Sequence, residues 1–169
     1  MGSPIYADLL FALNKARVRF LIAGGVAVNL HGVPRFTQDL DLVVDLAPKN
    51  ASRFVDVMTR QGYKPRVPVD PQQLADPGMR RVWRREKNRL VFTFYHPTRP
   101  LEMVDVFVDL PQPYGGLHRD RTVIRQGGLR VPLLSIAHLI RFKTGTGRRQ
   151  DAADIENLRV LQRTGKKER

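Results

Sequence analysis

The sequence predicts an α/β or α+β domain, a mixed β-sheet flanked by helices. Two observations predict it. Apolar residues recur at helical spacing in some segments, chiefly 5–16, 48–62 and 135–163, while others alternate or run apolar over four to eight residues as strands do. No repeat and no long linker separates the two kinds of segment.

The 169 residues suit one domain over 1–169, with helices at 135–163 packed on it and a frayed tail at 164–169. Residues 5–16 (IYADLLFALNKA) read as a helix and 19–23 as a short buried strand. Gly24-Gly25 then open a helix over 26–31, which Val33-Pro34 ends. Residues 39–46 read as a strand, 48–62 as a helix with Pro48 early and Gly62 at its end, and 63–69 as extended. PVDPQQLADPG reads as a long loop. Strands are expected at 82–85, 89–96, 101–110, 122–125 and 129–131, then helices at 135–143 and 151–163.

Composition excludes several classes. There is no cysteine, so disulfides and thiolate metal sites are absent. No run is long and apolar enough to span a bilayer, and no basic-then-apolar leader stands at the N-terminus, so a cytoplasmic protein without a membrane partner is expected. Lys and Arg number 29 against 16 Asp and Glu, a net charge of +13. Such a surface concentrates polyanions, although an arginine-rich composition also serves solubility alone.

The chemistry concentrates in FLIAGGVAVNLHGVPRFTQDLDLVVD, residues 20–45. Side chains alternate along a strand, so Asp39 and Asp41 share one face while Leu40 and Leu42 share the other. Two adjacent carboxylates repel unless a cation sits between them. Mg²⁺ takes carboxylate and phosphate oxygens together, and two such ions can clamp the attacking and leaving oxygens of a nucleotidyl transfer. A third carboxylate is expected from LEMVDVFVDL (101–110): Asp105, mid-strand among apolar residues, with Asp109 as the alternative. Gly24-Gly25, at a strand-to-helix turn, allow a phosphate to approach the backbone.

The order Gly24-Gly25, thirteen residues, Asp39-Leu-Asp41-Leu, then a later strand aspartate resembles the nucleotidyltransferase superfamily that includes DNA polymerase β. Arg35 and Thr37 stand where its small bacterial members carry the same residue types. The run LIRFKTGTGRRQDAADIENL, with Leu139, Lys143, Gly147, Arg148, Asp151, Asp154 and Leu158, resembles AbiEii-type proteins, which include toxins of toxin–antitoxin systems. The resemblance implies the nucleotidyltransferase fold and an enzyme using two Mg²⁺ ions and an NTP. Gly24 and Gly25 would meet the triphosphate, with Arg35 and Thr37 beside them. Asp39 and Asp41 would bind both metals. Asp105 would bind one and help deprotonate the acceptor hydroxyl. Lys143 would meet a phosphate, and Asp151 is a further site residue with Asp154 behind it. Many members have Gly-Ser where this chain has Gly24-Gly25, so a hydroxyl contact is missing there.

Each residue also has a purely structural reading. Gly24-Gly25 suit a tight turn, Arg35 a salt bridge to the aspartate pair, Thr37 a strand, Lys143 a helix C-terminus. Asp151 suits a helix cap, and Asp154 a pair with Arg148 or Arg149. RRVWRREKNR (80–89) could grip a nucleic-acid backbone with Trp83 stacking a base, or be a charged edge strand. His31, His96, His118 and His138 lack metal-ligand spacing. The acceptor to try first is tRNA or another RNA, and a cognate antitoxin is an implied partner. The rivals are nucleotidylation of a protein or small molecule, and an inactive nucleic-acid-binding or antitoxin module.

Overall fold

The computed structural model describes residues 5–87 and 91–167. Its chain order is α1 (Ala7–Lys15), β1 (Phe20–Ile22), α2 (Gly24–Leu30), β2 (Leu40–Val44), α3 (Pro48–Arg60), β3 (Lys64–Pro65), a 3₁₀ turn (Pro71–Ala75), α4 (Pro77–Lys87), β4 (Val91–Tyr95), β5 (Met103–Phe107), α5 (Tyr114–Arg119), β6 (Thr122–Gln126), β7 (Leu129–Leu133), α6 (Ile136–Lys143) and α7 (Arg149–Lys167).

The strands form one seven-stranded mixed sheet, ordered β3-β4-β5-β2-β1-β7-β6. The β2–β5 and β1–β7 pairs are parallel; the others are antiparallel. Alternation divides its faces. Leu40 and Leu42 on β2, Val104 and Val106 on β5, and Phe92 and Phe94 on β4 are buried on one face. There α3 and α4 cover them: Phe54 meets Phe94 edge-on at 5.9 Å, and Trp83 stacks on Phe92 at 5.2 Å. The other face carries Asp39, Asp41, Asp105 and Thr93, and α6 reaches it through Phe142, edge-on to Phe107 at 5.4 Å.

The expected strand at 82–85 is instead part of helix α4. Asp76 caps it, its Oδ1 accepting from the Gly78 N–H at 2.7 Å, and Pro77 takes the first position, where its missing N–H costs nothing. Asp70-Pro71 does the same for the 3₁₀ turn, with Asp70 Oδ1 accepting from Gln72 N–H at 2.9 Å. The expected loop thus holds two Asp-Pro helix starts. Trp83 is 2% exposed and cannot stack a base, and the 80–87 segment is no edge strand. Helix α5 stands where no element was expected, and α7 runs through 164–167, where a frayed tail was expected. Residues 89 and 90 of the expected 89–96 strand, and 168–169 of the tail, lie outside the described residues. No helix among those described is long and apolar enough to cross a membrane.

Candidate active site

The parallel pairing of β2 with β5 sets Asp41 directly beside Asp105. Antiparallel β4 sets Thr93 beside Asp105 in turn, and the Thr93 hydroxyl donates to Asp105 Oδ1 at 2.5 Å. Among the described residues no hydrogen bond engages Asp105 Oδ2. The expected strand begins one residue late, so Asp39 stands just before β2, near enough for its charge to act on Asp41 and to feel Asp105. Asp109 does not join them: it lies beyond the end of β5, exposed, paired with Arg84 at 2.9 Å. The carboxylate that lies beside Asp41 is therefore Asp105 and not Asp109.

Only Ala23 separates β1 from Gly24, and the Ala23 N–H donates to the Asp41 carbonyl at 2.8 Å, which brings the turn against the carboxylates. Gly24 has φ +58°, and a Cβ there would lie 1.8 Å from Asp41 Oδ2. Only glycine fits both the conformation and the space. At Gly25 a Cβ would lie 2.5 Å from Thr37 Oγ1 and 3.0 Å from Arg35 Cζ. The side chain absent from Gly25 is thus replaced in space by the Thr37 hydroxyl. A serine at 25 would collide with it.

The electrostatics follow from this crowding. Burial, then the charges of Asp105 and Asp39, push the Asp41 carboxyl up to about 6, with Lys143 and Arg35 opposing. Burial and Asp105 also raise Asp39, opposed by Arg66. Among the described residues, no three acidic or histidine side chains close tightly enough to enclose a cation unaided. That suits Mg²⁺, which keeps waters and shares its coordination with substrate phosphates. The donor set is hard oxygen only, and the mutual repulsion that raises Asp41 is what a divalent cation would relieve.

Arg66 is a candidate site residue that the sequence reading missed. It follows β3, its N–H donates to the Thr93 carbonyl at 2.9 Å, and its side chain is exposed. Arg66, Thr93, Asp105 and Asp41 thereby form one row across the sheet. Only strand pairing brings them together, so no spacing signal could have shown it.

The C-terminal residues form a separate buried network. Lys143 Nζ lies 2.8 Å from both Asp151 Oδ1 and Asp154 Oδ2, and Arg35 NH1 lies 2.6 Å from Asp154 Oδ2. Thr146 donates to Asp151 Oδ2 at 2.7 Å. Burial disfavours the Asp151 charge, but the hydrogen bonds from Lys143 and Thr146 outweigh it and hold that carboxyl below its usual range. Three expectations change. Asp154 pairs with Arg35 and Lys143, not with Arg148 or Arg149. Arg35 is bonded to Asp154 rather than to the aspartate pair. Asp151 lies inside the first turn of α7 and is not its cap. Two carboxylates hold the Lys143 ammonium, on the side of the network from which it also acts on Asp41.

No protein-family model and no curated protein sequence matches the chain. Solved structures do. The lincosamide antibiotic adenylyltransferase LnuA, in its lincomycin-bound form, has a TM-score of 0.60 at 17% identity, over 92% of this chain and 97% of that one. An antigenic nucleotidyltransferase-like protein from Paracoccidioides brasiliensis has 0.56 at 18% identity, over 93% and 73%. ANT(2")-Ia in complex with adenylyl-2"-tobramycin has 0.52 at 13% identity, over 95% and 94%. Identities this low speak to architecture, and the architecture agrees over nearly the whole chain: this protein has the nucleotidyltransferase fold.

Proposed function

We propose that the protein is a metal-dependent nucleotidyltransferase, moving a nucleoside monophosphate from an NTP to a hydroxyl acceptor. The observation that carries this is the Asp41–Asp105 register with Gly24 packed against Asp41 Oδ2: carboxylates from two strands and a side-chain-free turn meet at one point. Asp39, Asp41 and Asp105 would hold two Mg²⁺ ions, which when bound neutralise phosphate charge and polarise the reacting oxygens. The backbone at Gly24 and Gly25 and the hydroxyl of Thr37 bind the triphosphate, and Arg35 stands behind Thr37. The acceptor oxygen attacks the α-phosphorus, the bond to the bridging α–β oxygen breaks, and pyrophosphate leaves. Asp105 takes the acceptor proton on Oδ2, while the Thr93 bond to Oδ1 fixes the carboxylate. Lys143 and Asp151 act indirectly, through the field on Asp41 and through Asp154 on Arg35.

The Gly24-Gly25 turn lies on the β1 side of Asp41, so the acceptor enters from the β5–β4–β3 side. That flank carries exposed Lys64, Arg66 and Tyr95. Neither cation has an ion-pair partner among the described residues. With the +13 net charge, this favours an anionic acceptor, tRNA or another RNA, over a cationic antibiotic such as an aminoglycoside. The C-terminal resemblance to AbiEii-type toxins adds a toxin role and a cognate antitoxin to this reading.

The test is label transfer with Mg²⁺, each α-labelled NTP, total tRNA and cell extract. Label on RNA that requires Asp39 and Asp41 supports the proposal. Label on protein or on added antibiotic would redirect the acceptor. No label together with no Mg²⁺–NTP binding would overturn the enzyme reading.

A further inference from the structure

A depression with a basic rim lies away from the carboxylates. It is a cleft of about 220 Å³ between the end of α1, the start of β1 and the β6–β7 hairpin. Its walls carry Arg17, Arg19, His118, Arg121 and Arg130, and no lining residue is acidic. Arg19 has one acidic partner nearby, Asp45 at 2.9 Å, yet its side chain stays 55% exposed. Arg121 donates to the His118 carbonyl at 2.6 Å, which anchors the guanidinium at the cleft. Arg17 and Arg130 are exposed and in no ion pair among the described residues. Arg17 also has φ +54°, in the position after a helix where glycine is less strained.

Like charges gathered in a concave wall repel, and water screens them less there than on a convex surface. His118 registers the excess: burial, then Arg121 and Arg19, lower its proton affinity. An anion is the simplest group that turns this repulsion into attraction, and a guanidinium fork matches phosphate oxygens in geometry. Strand β1 separates the cleft from the carboxylates. Gly24 is five positions on from Arg19, about 16 Å at the rise of an extended chain.

We propose that this cleft is a phosphate-binding site, distinct from the carboxylate site, that takes phosphate groups of a polyanion. The phosphates come from the backbone of an RNA strand or from a free oligophosphate. The proposal does not rest on nucleotidyl transfer, because it is read by binding alone.

The test uses the full chain with two probes, a fluorescent oligo(U) strand and inorganic tripolyphosphate. Three proteins are compared: wild type, Arg121→Gln/Arg130→Gln in the cleft, and Arg81→Gln/Arg85→Gln on the exposed face of α4, which makes the same change in net charge. The cleft variant is expected to bind at least one probe about tenfold or more weakly than the α4 variant. For oligo(U), the slope of log affinity against log salt should shallow by about 1.4, at roughly 0.7 per lost phosphate contact. Loss for oligo(U) identifies a strand-binding site; loss for tripolyphosphate alone identifies a free-phosphate site. If the double variant unfolds, Arg130→Gln, at an exposed position, should shift the slope by about 0.7. Equal binding by cleft and α4 variants, or no binding of either probe by wild type, would overturn the proposal.

Discussion

Arg35 NH1 lies 2.6 Å from Asp154 Oδ2, a salt bridge between residues 119 apart whose carboxylate side is 1% exposed. It fastens the loop carrying Thr37 to the last helix. Lys143 shares the same oxygen at 2.8 Å. Asp154→Ala leaves two cations without that partner, one of them, Lys143, buried. A loss of about 3–5 kcal/mol is expected, because an uncompensated buried charge costs more than the pair contributed. Urea denaturation measures it, and Asp154→Asn, which keeps an acceptor, should lose less.

Gly24→Ala places a methyl 1.8 Å from Asp41 Oδ2 at φ +58°. The Asp41 side chain must move, because the backbone cannot. The expected result is a folded protein, destabilised by about 1–3 kcal/mol, that no longer gains stability from Mg²⁺ and NTP. Differential scanning fluorimetry with and without ligand separates the two effects.

The raised Asp41 carboxyl gives a stability change with a definite sign. Its folded value of about 6 exceeds the ordinary carboxyl value of 3.8, so the folded state holds the proton more tightly. Stability from this group is fully present below about pH 4 and is lost as pH rises through 6. Asp41→Asn should therefore be more stable than wild type by roughly 1–3 kcal/mol at pH 7.5, at about 1.4 kcal/mol per unit, and similar near pH 4. The metal-free protein should show this in thermal melts across that range. Excess Mg²⁺ with NTP should shrink the difference.

Thr37 supplies the hydroxyl that Gly25 lacks. Thr37→Val keeps the shape and removes the oxygen. NTP affinity should fall about 10- to 100-fold, the usual worth of a hydrogen bond to a charged group, with folding stability changed by less than about 1 kcal/mol. Isothermal titration with a non-hydrolysable NTP reads the first, and a melt the second. A Gly25→Ser substitution added to Thr37→Val should not restore binding unless the new hydroxyl reaches the position of Thr37 Oγ1.

The carboxylates were legible because strand alternation is a local rule. Asp41 and Asp105 each sit on the polar side of an otherwise buried strand, with Asp39 just before the first of them, and period two exposes that without knowing the sheet order. Their neighbours were not legible. Thr93 and Arg66 join the row only through pairing of β5 with β4 and of β4 with β3, which no spacing encodes. Asp154 was given to Arg148 or Arg149 by proximity in sequence, whereas the fold delivers Arg35 from the other end of the chain. Helix α4 escapes the sequence reading although Asp76-Pro77 marks its start, as Asp70-Pro71 marks that of the 3₁₀ turn before it. The density of proline and aspartate suggested a loop, when each pair is a cap followed by a first helical residue. Arg81, Arg84 and Arg85 belong to the solvent side of a helix whose one aromatic, Trp83, faces the core, while Arg80 turns inward to donate to the Leu74 and Leu46 carbonyls.

Asp39, Asp41 and Asp105 are proposed to bind a metal–nucleotide complex. Titrating NTP into the protein with Mg²⁺, and again with EDTA, tests it most directly, with Asp39→Asn/Asp41→Asn alongside. Binding should require both Mg²⁺ and the two aspartates, with the variant still folded by its melting curve. Binding that persists in EDTA, or that is unchanged in the double variant, would contradict it.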